Sequence, residues 1–161
     1  MTLHIRKAGP LDARALAELL NAIIAKGGTT AFVQELSSAD IQEWMRRPRA
    51  VWHLAEDDAG QVLGFQYFDP NEDASEISVD IATFVRVGAT GLGVGSKLFE
   101  QTVKVARSLG YTRIEAVIRA DNEGGLAYYQ SRGFETVKTL HDVQLDNGMR
   151  VDKIWKRFDL R

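Results

Sequence analysis

Apolar positions recur with two different periods along this chain, and each change of period marks an element boundary. Leu3 to Lys7 predicts a short strand, after which Leu16, Leu19, Leu20, Ile23 and Ile24 fall at helical spacing beyond Pro10 until Gly27-Gly28 ends the helix. Ser37 followed three residues later by Asp40 is a capping-box pattern, and Ile41, Trp44 and Met45 continue it as a second helix that Pro48 stops. Val51 to Glu56 and Val62 to Phe68 predict a hairpin around Asp57-Asp58-Ala59-Gly60. From Glu76 to Val87 the period becomes two: Ile77, Val79, Ile81, Thr83, Val85 and Val87 share one strand face, and Glu76, Ser78 and Asp80 share the other. A glycine run then opens a helix that carries Leu98, Phe99, Val103, Ala106 and Leu109 on one side and closes at Gly110. Tyr111 to Arg119 predicts another strand, and Asn122 to Arg132 a short helix closed by Gly133. Two last strands flank the hairpin signal Asp146-Asn147-Gly148. The succession strand, glycine turn, helix, strand is that of a right-handed crossover in a mixed α/β sheet.

Composition narrows the function. At 161 residues and 45% hydrophobic content, the chain is long enough for one core, so a single domain over 1–161 is expected. The formal net charge of −2 comes from interleaved acids and bases, without the basic stripe that tracks a nucleic-acid backbone. No cysteine is present, which removes disulfides, thiolate metal sites and a cysteine acyl-enzyme. His4, His53 and His141 are scattered without metal-ligand spacing, so no metal is expected. Charges interrupt the N-terminal apolar positions early, so neither a signal peptide nor a membrane span is expected, and the expected location is cytoplasmic.

The chemistry concentrates in Thr90-Gly91-Leu92-Gly93-Val94-Gly95-Ser96, between a strand and a helix. Alternate glycines let a backbone present its N–H groups, and the helix adds the positive end of its dipole, which together suit a pyrophosphate. The spacing fits neither the dinucleotide fingerprint nor the P-loop. The plainer reading is a turn that lets the helix pack closely on the sheet. Asn122 and Tyr129 lie seven residues apart on nearly the same face of the next helix, with Gly124-Gly125 between them. Each glycine costs roughly 1 kcal/mol in a helix interior, so something is expected to approach that backbone closely: a ligand, or nothing more than a frayed start.

Together these residues resemble the GCN5-related N-acetyltransferase family. Its acetyl-CoA signature falls on Thr90 to Gly95, with Thr90 in place of the usual basic or amide residue, and its second signature falls on Asn122, Tyr129, Gly133 and Phe134. Within the family the chain is most similar to the phosphinothricin and amino-acid N-acetyltransferases, on Asn21 with Thr29-Thr30-Ala31-Phe32, on Val79-Asp80, and on Asp152 and Trp155. The resemblance implies a mixed, mostly antiparallel seven-stranded sheet flanked by about four helices. It implies acetyl-CoA as co-substrate, held by Thr90, Gly91, Leu92, Gly93, Val94, Gly95, Ser96 and Asn122, with backbone N–H groups near Phe84 and Val85 facing the oxyanion. The acceptor, a small-molecule amine, is then expected near Thr30, Phe32 and Glu76.

Transfer from a thioester to an amine needs a neutral nucleophile and a proton for the departing thiolate. A lysine-like amine with a pKa of about 10.4 is neutral in roughly one molecule in a thousand near pH 7. The expected base is Asp80, with Glu76 in reserve, or water; the expected acid is Tyr129. Protonation of a thiolate of pKa about 8.5 by a phenol of pKa about 10 is uphill by only ~1.5 pH units. Trp44 and Trp52 are candidates for an acceptor pocket, although core positions suit them equally. Two rivals stand beside this reading: a polyamine, aminoglycoside or protein N-terminus as acceptor, and a non-catalytic acyl-CoA-binding module. Met149, Val151, Ile154 and Trp155 in the last strands offer a dimer surface, and core packing would use the same residues.

Overall fold

In the computed structural model, which describes residues 2–70 and 77–161, one seven-stranded sheet runs through the molecule. Its strands are β1 (His4–Lys7), β2 (Val51–Glu56), β3 (Val62–Pro70), β4 (Ser78–Val85), β5 (Arg113–Arg119), β6 (Glu135–Gln144) and β7 (Arg150–Asp159). Their order is β1-β2-β3-β4-β5-β7-β6, antiparallel throughout except for the parallel pair β4 and β5. The helices are α1 (Ala13–Lys26), α2 (Ser38–Met45), α3 (Val94–Ser108) and α4 (Glu123–Ser131). The last strand is not an edge strand: β7 inserts between β5 and β6, which the hairpin signal alone did not foretell.

Two layers of helix cover the sheet. Leu16, Leu19, Leu20 and Ile23 of α1 and Ile41 of α2 bury their apolar stripes against Trp52, Leu54, Phe65 and Tyr67. On the opposite face Phe99 and Ala106 of α3 and Tyr129 of α4 pack with Phe68, Val79, Ile81, Ile114, Ala116 and Ile118. Each large side chain removed from water in this way stabilises the fold by about 1.5–3 kcal/mol. The capping box forms as expected, Ser37 Oγ accepting from Asp40 N at 3.1 Å and Asp40 Oδ2 from Ser37 N at 2.9 Å. Leu109, expected on the buried stripe of α3, is exposed because the helix has already ended at Ser108. Trp52 is core, stacked on Tyr67 at 4.0 Å, and Trp44 stacks on Phe32 at 5.0 Å.

His53 lies buried on β2 opposite Lys7 of β1 and Gln66 of β3. Burial first, then the nearby lysine, pull its pKa below the ordinary value. A histidine kept neutral in the fold stabilises it fully above its unfolded pKa of about 6.5, and that stability drains as the pH falls below it. The melting temperature is therefore expected to drop from pH 7.5 to pH 5, and His53→Leu to flatten that slope. Equal slopes in a thermal melt series would show that His53 does not set it.

Candidate active site

The sheet is continuous except at one seam. β4 and β5 pair only over Ser78, Val79 and Asp80 with Arg113, Ile114 and Glu115. Beyond that third rung β4 runs on to Val85, held on its other edge by β3, and β5 runs on to Arg119, held by β7. Between the parted strands lies a cleft of about 970 Å³. Its walls include residues from both faces of β4, Ile81, Thr83 and Val85 on the α3 side and Ala82 and Phe84 on the α1 side. The opening therefore passes through the sheet and is reached from both layers.

One mouth is built by the glycine loop. Gly91 and Gly93 adopt φ of 88° and 81°, the left-handed region that other residues rarely enter, and Gly93 is the N-cap from which the 15-residue α3 starts. Gly95 serves differently: a Cβ there would stand 2.7 Å from Tyr128 Cε1, so only glycine admits the Tyr128 ring against the start of α3. Thr90, Gly91, Gly93, Val94, Gly95 and Ser96 all line the cleft. Leu92 does not; its side chain is half exposed beyond the lining. Ser96 Oγ accepts a hydrogen bond from Arg132 Nη1 at 2.6 Å.

Helix α4 supplies two tyrosines. Asn122 caps it, accepting from Gly125 N at 2.9 Å and donating through Nδ2 to Thr29 O at 2.8 Å. Gly125 is required by that cap, since a Cβ there would lie 2.9 Å from Asn122 Cγ. The close approach expected at Gly125 is thus made by the chain's own asparagine. Tyr129 is buried, lines the cleft and meets Thr83 Oγ1 at 2.8 Å. Tyr128 donates to Gly95 O at 2.8 Å and accepts from Gln66 Nε2 at 3.1 Å, which commits its hydrogen to the loop. Burial pushes both phenols above the ordinary tyrosine value, Thr83 opposing the shift for Tyr129 and Gln66 for Tyr128.

The other mouth is closed by the loop after α1. Thr30 and Phe32 line it, Phe32 lying beside Phe84 at 6.3 Å. Asn21 holds the far end of this loop through paired 2.8 Å bonds with the Leu36 backbone. Arg119, buried on β5, donates to Thr30 O at 3.0 Å and grips Asp121 with two nitrogens at 3.0 and 2.7 Å. That grip holds the Asp121 carboxyl below the ordinary value, so it is an anion at neutral pH. Lys26, Lys153 and Glu123 complete the charged rim.

Of the expected site residues, the fold brings together Thr30, Phe32, Phe84, Val85, the glycine loop apart from Leu92, Asn122 and Tyr129. Asp80 is not among them. It is exposed, lies in the paired part of the seam opposite Asp69 and Glu115, and lines no part of the cleft. The polar face expected around it is not uniformly solvated, because Ser78 is fully buried and donates to Glu115 at 3.2 Å. Glu76 lies outside the described residues. Tyr128, Gln66, Thr83 and Arg119 were missed, and only the tyrosine pair carried any signal in the sequence.

Comparison with known proteins follows the same geometry. The profile of the acetyltransferase (GNAT) family matches residues 16–134, from α1 through the glycine loop to the end of α4. The chain belongs to this family. It is an acyltransferase by class. "Putative phosphinothricin acetyltransferase YwnH" of Bacillus subtilis (strain 168) is 25% identical over 155 residues, covering 92% of this chain and 93% of that protein. An N-acetyltransferase from Staphylococcus aureus Mu50 superposes with a TM-score of 0.89 at 23% identity, each chain covered fully. A GNAT superfamily phosphinothricin acetyltransferase from Sinorhizobium meliloti, solved in complex with acetyl-CoA, superposes with a TM-score of 0.87 at 22% identity over 99% of this chain and 89% of that one.

The acetyltransferase should be sensitive at Gly95. In Gly95→Ala the new methyl forces Tyr128 off the loop, costing about 1–3 kcal/mol of stability and weakening acetyl-CoA binding. Thermal melts and calorimetric titration with acetyl-CoA read the two effects; unchanged values for both would contradict the packing described.

Proposed function

We propose that this acetyltransferase moves an acetyl group from acetyl-CoA to the primary amine of a small molecule, with an amino acid or an analogue such as phosphinothricin or methionine sulfoximine as acceptor. The observation that carries the reading is the seam opening, because it gives two reactants access from opposite faces of the sheet to the same short stretch of β4. The family membership supports the donor, as does the acetyl-CoA complex of the Sinorhizobium meliloti neighbour. The name of the Bacillus subtilis relative supports the acceptor class.

The residues present fit the donor. The parted edge of β4 offers backbone groups to the amides of a pantetheine arm, and the left-handed glycines at 91 and 93 with the start of α3 suit a pyrophosphate. Bound there, acetyl-CoA supplies an acyl group activated as a thioester. The chain's own residues do the rest. The backbone N–H of Val85, on the parted edge of β4, faces the developing oxyanion, a donor worth about 10²–10³ in rate, whereas that of Phe84 turns to β3, as does the Arg86 N–H that bonds Leu63 O two residues on. Tyr129, whose hydrogen is not committed to the loop as that of Tyr128 is, gives its proton to the leaving thiolate. Thr30 and Phe32 bound the acceptor, and the amine's proton passes to water rather than to Asp80, which stands off the cleft.

Two measurements test this. Thiol release is followed across amino acids and their analogues, polyamines, aminoglycosides and peptide N-termini. The amino-acid group is expected to react fastest, and faster release from any other group would replace the acceptor. Acetyl-CoA binding with no thiol release from any amine would make the protein a binding module. Tyr129→Phe is expected to lower kcat by roughly 10² with little change in acetyl-CoA affinity, and wild-type turnover in that variant would remove the tyrosine as acid.

A further inference from the structure

A chain of buried polar groups runs from the middle of α3 to the cleft, and the function above uses only its last member. Thr102 on α3, buried, donates its hydroxyl hydrogen to Gln66 Oε1 on β3, also buried. The amide's two hydrogens go onward from Nε2, one to Thr83 Oγ1 at 2.9 Å and one to Tyr128 Oη at 3.1 Å. Tyr128 passes its own hydrogen to Gly95 O, so that branch terminates on the loop. The other branch continues: Thr83 Oγ1 and Tyr129 Oη stand 2.8 Å apart.

Counting hydrogens shows what this branch delivers. Thr83 and Tyr129 hold two hydroxyl hydrogens between them, one of which bridges the pair. Where Tyr129 donates to Thr83, the Thr83 hydrogen has the Tyr128 oxygen within reach; where Thr83 donates to Tyr129, the tyrosine hydrogen is left for the cleft that both residues line. Thr83 oxygen already accepts from Gln66, and an oxygen that accepts a hydrogen bond becomes a better donor. The head-to-tail order Thr102, Gln66, Thr83, Tyr129 is then the cooperative one, with the tyrosine hydrogen pointing into the cleft. Gln66 is required for this order, because its amide presents a donor to Thr83 where a carboxylate would present an acceptor.

We infer that Thr83, polarised through Gln66 by Thr102, is a positioning residue for the acid of this reaction: it donates to Tyr129 oxygen, aims the tyrosine hydrogen at the leaving sulfur and holds the phenolate left behind. The inference rests on the proposed role of Tyr129. In the step concerned, the amine nitrogen bonds to the thioester carbonyl carbon and the carbon–sulfur bond breaks with its electron pair on sulfur. The thiolate takes the Tyr129 proton, the amine releases its proton to water, and water later returns one to the phenolate, which Thr83 stabilises meanwhile by its hydrogen bond.

The test is a double-mutant cycle with acetyl-CoA and the fastest amine of the panel. Thr83→Val keeps the shape and removes the hydroxyl; kcat is expected to fall roughly tenfold, the worth of one hydrogen bond to a charged oxygen, with KM for acetyl-CoA within about twofold. Thr83→Ser restores the donor and is expected to recover most of kcat, and its melting temperature guards against a folding artefact. In the Tyr129→Phe background Thr83→Val should have no further effect, since the group it serves is gone. Wild-type kcat in Thr83→Val while Tyr129→Phe is slow overturns this inference alone. An additive loss in the double variant, or a loss that Thr83→Ser does not recover, overturns it as well. Wild-type turnover in Tyr129→Phe overturns the tyrosine's role and this inference with it.

Discussion

The structure depends on a pairing that stops. β4 and β5 make three rungs of a parallel ladder and then part, although both strands continue. Backbone donors and acceptors inside a protein need partners, so an interior seam is costly unless something else meets the exposed edges. The remaining sheet is organised to tolerate it: β3 holds the outer edge of β4 along its whole length, and β7 does the same for β5.

Everything functional is fastened to the rims of that gap. The glycine loop and the start of α3 close one mouth, and Tyr128 ties them to α4 by packing where Gly95 has no Cβ. The loop after α1 closes the other, held by Arg119 and by the Asn122 cap, so both ends of the cleft are tied to α4, one at its N-cap and one at Tyr128. A single helix of nine residues thus receives contacts from both mouths. Its short length is compensated by these side-chain bonds rather than by helix propensity, since an isolated helix of this size is marginal in water.

Element order was legible in the sequence because it follows local rules. The alternation along β4, the capping box at Ser37 and the glycines that follow α1, α3 and α4 are decided by neighbours in the chain. The glycine loop was legible too, although its glycines divide their work, Gly91 and Gly93 by conformation and Gly95 by close approach. The seam was not legible, because nothing in β4 or β5 alone states where pairing ceases. The chain from Thr102 through Gln66 and Thr83 to Tyr129 was equally hidden, its members being brought together only by the register of β3 on β4 and the crossing of α3. Asp80 shows the limit of alternation: it placed the residue on a polar face, where it is exposed, but did not show that it lies in the paired part of the seam and does not line the cleft.

Amide hydrogen exchange along β4, measured with and without acetyl-CoA, tests the seam as the seat of the thioester. The amides of 81, 83 and 85, on the parted edge, are expected to exchange more slowly once acetyl-CoA is added, while those of 82 and 84, bonded to β3, and of the paired residues 78–80 are little changed. Acetyl-CoA that binds and leaves exchange at 81, 83 and 85 as it was would contradict the account.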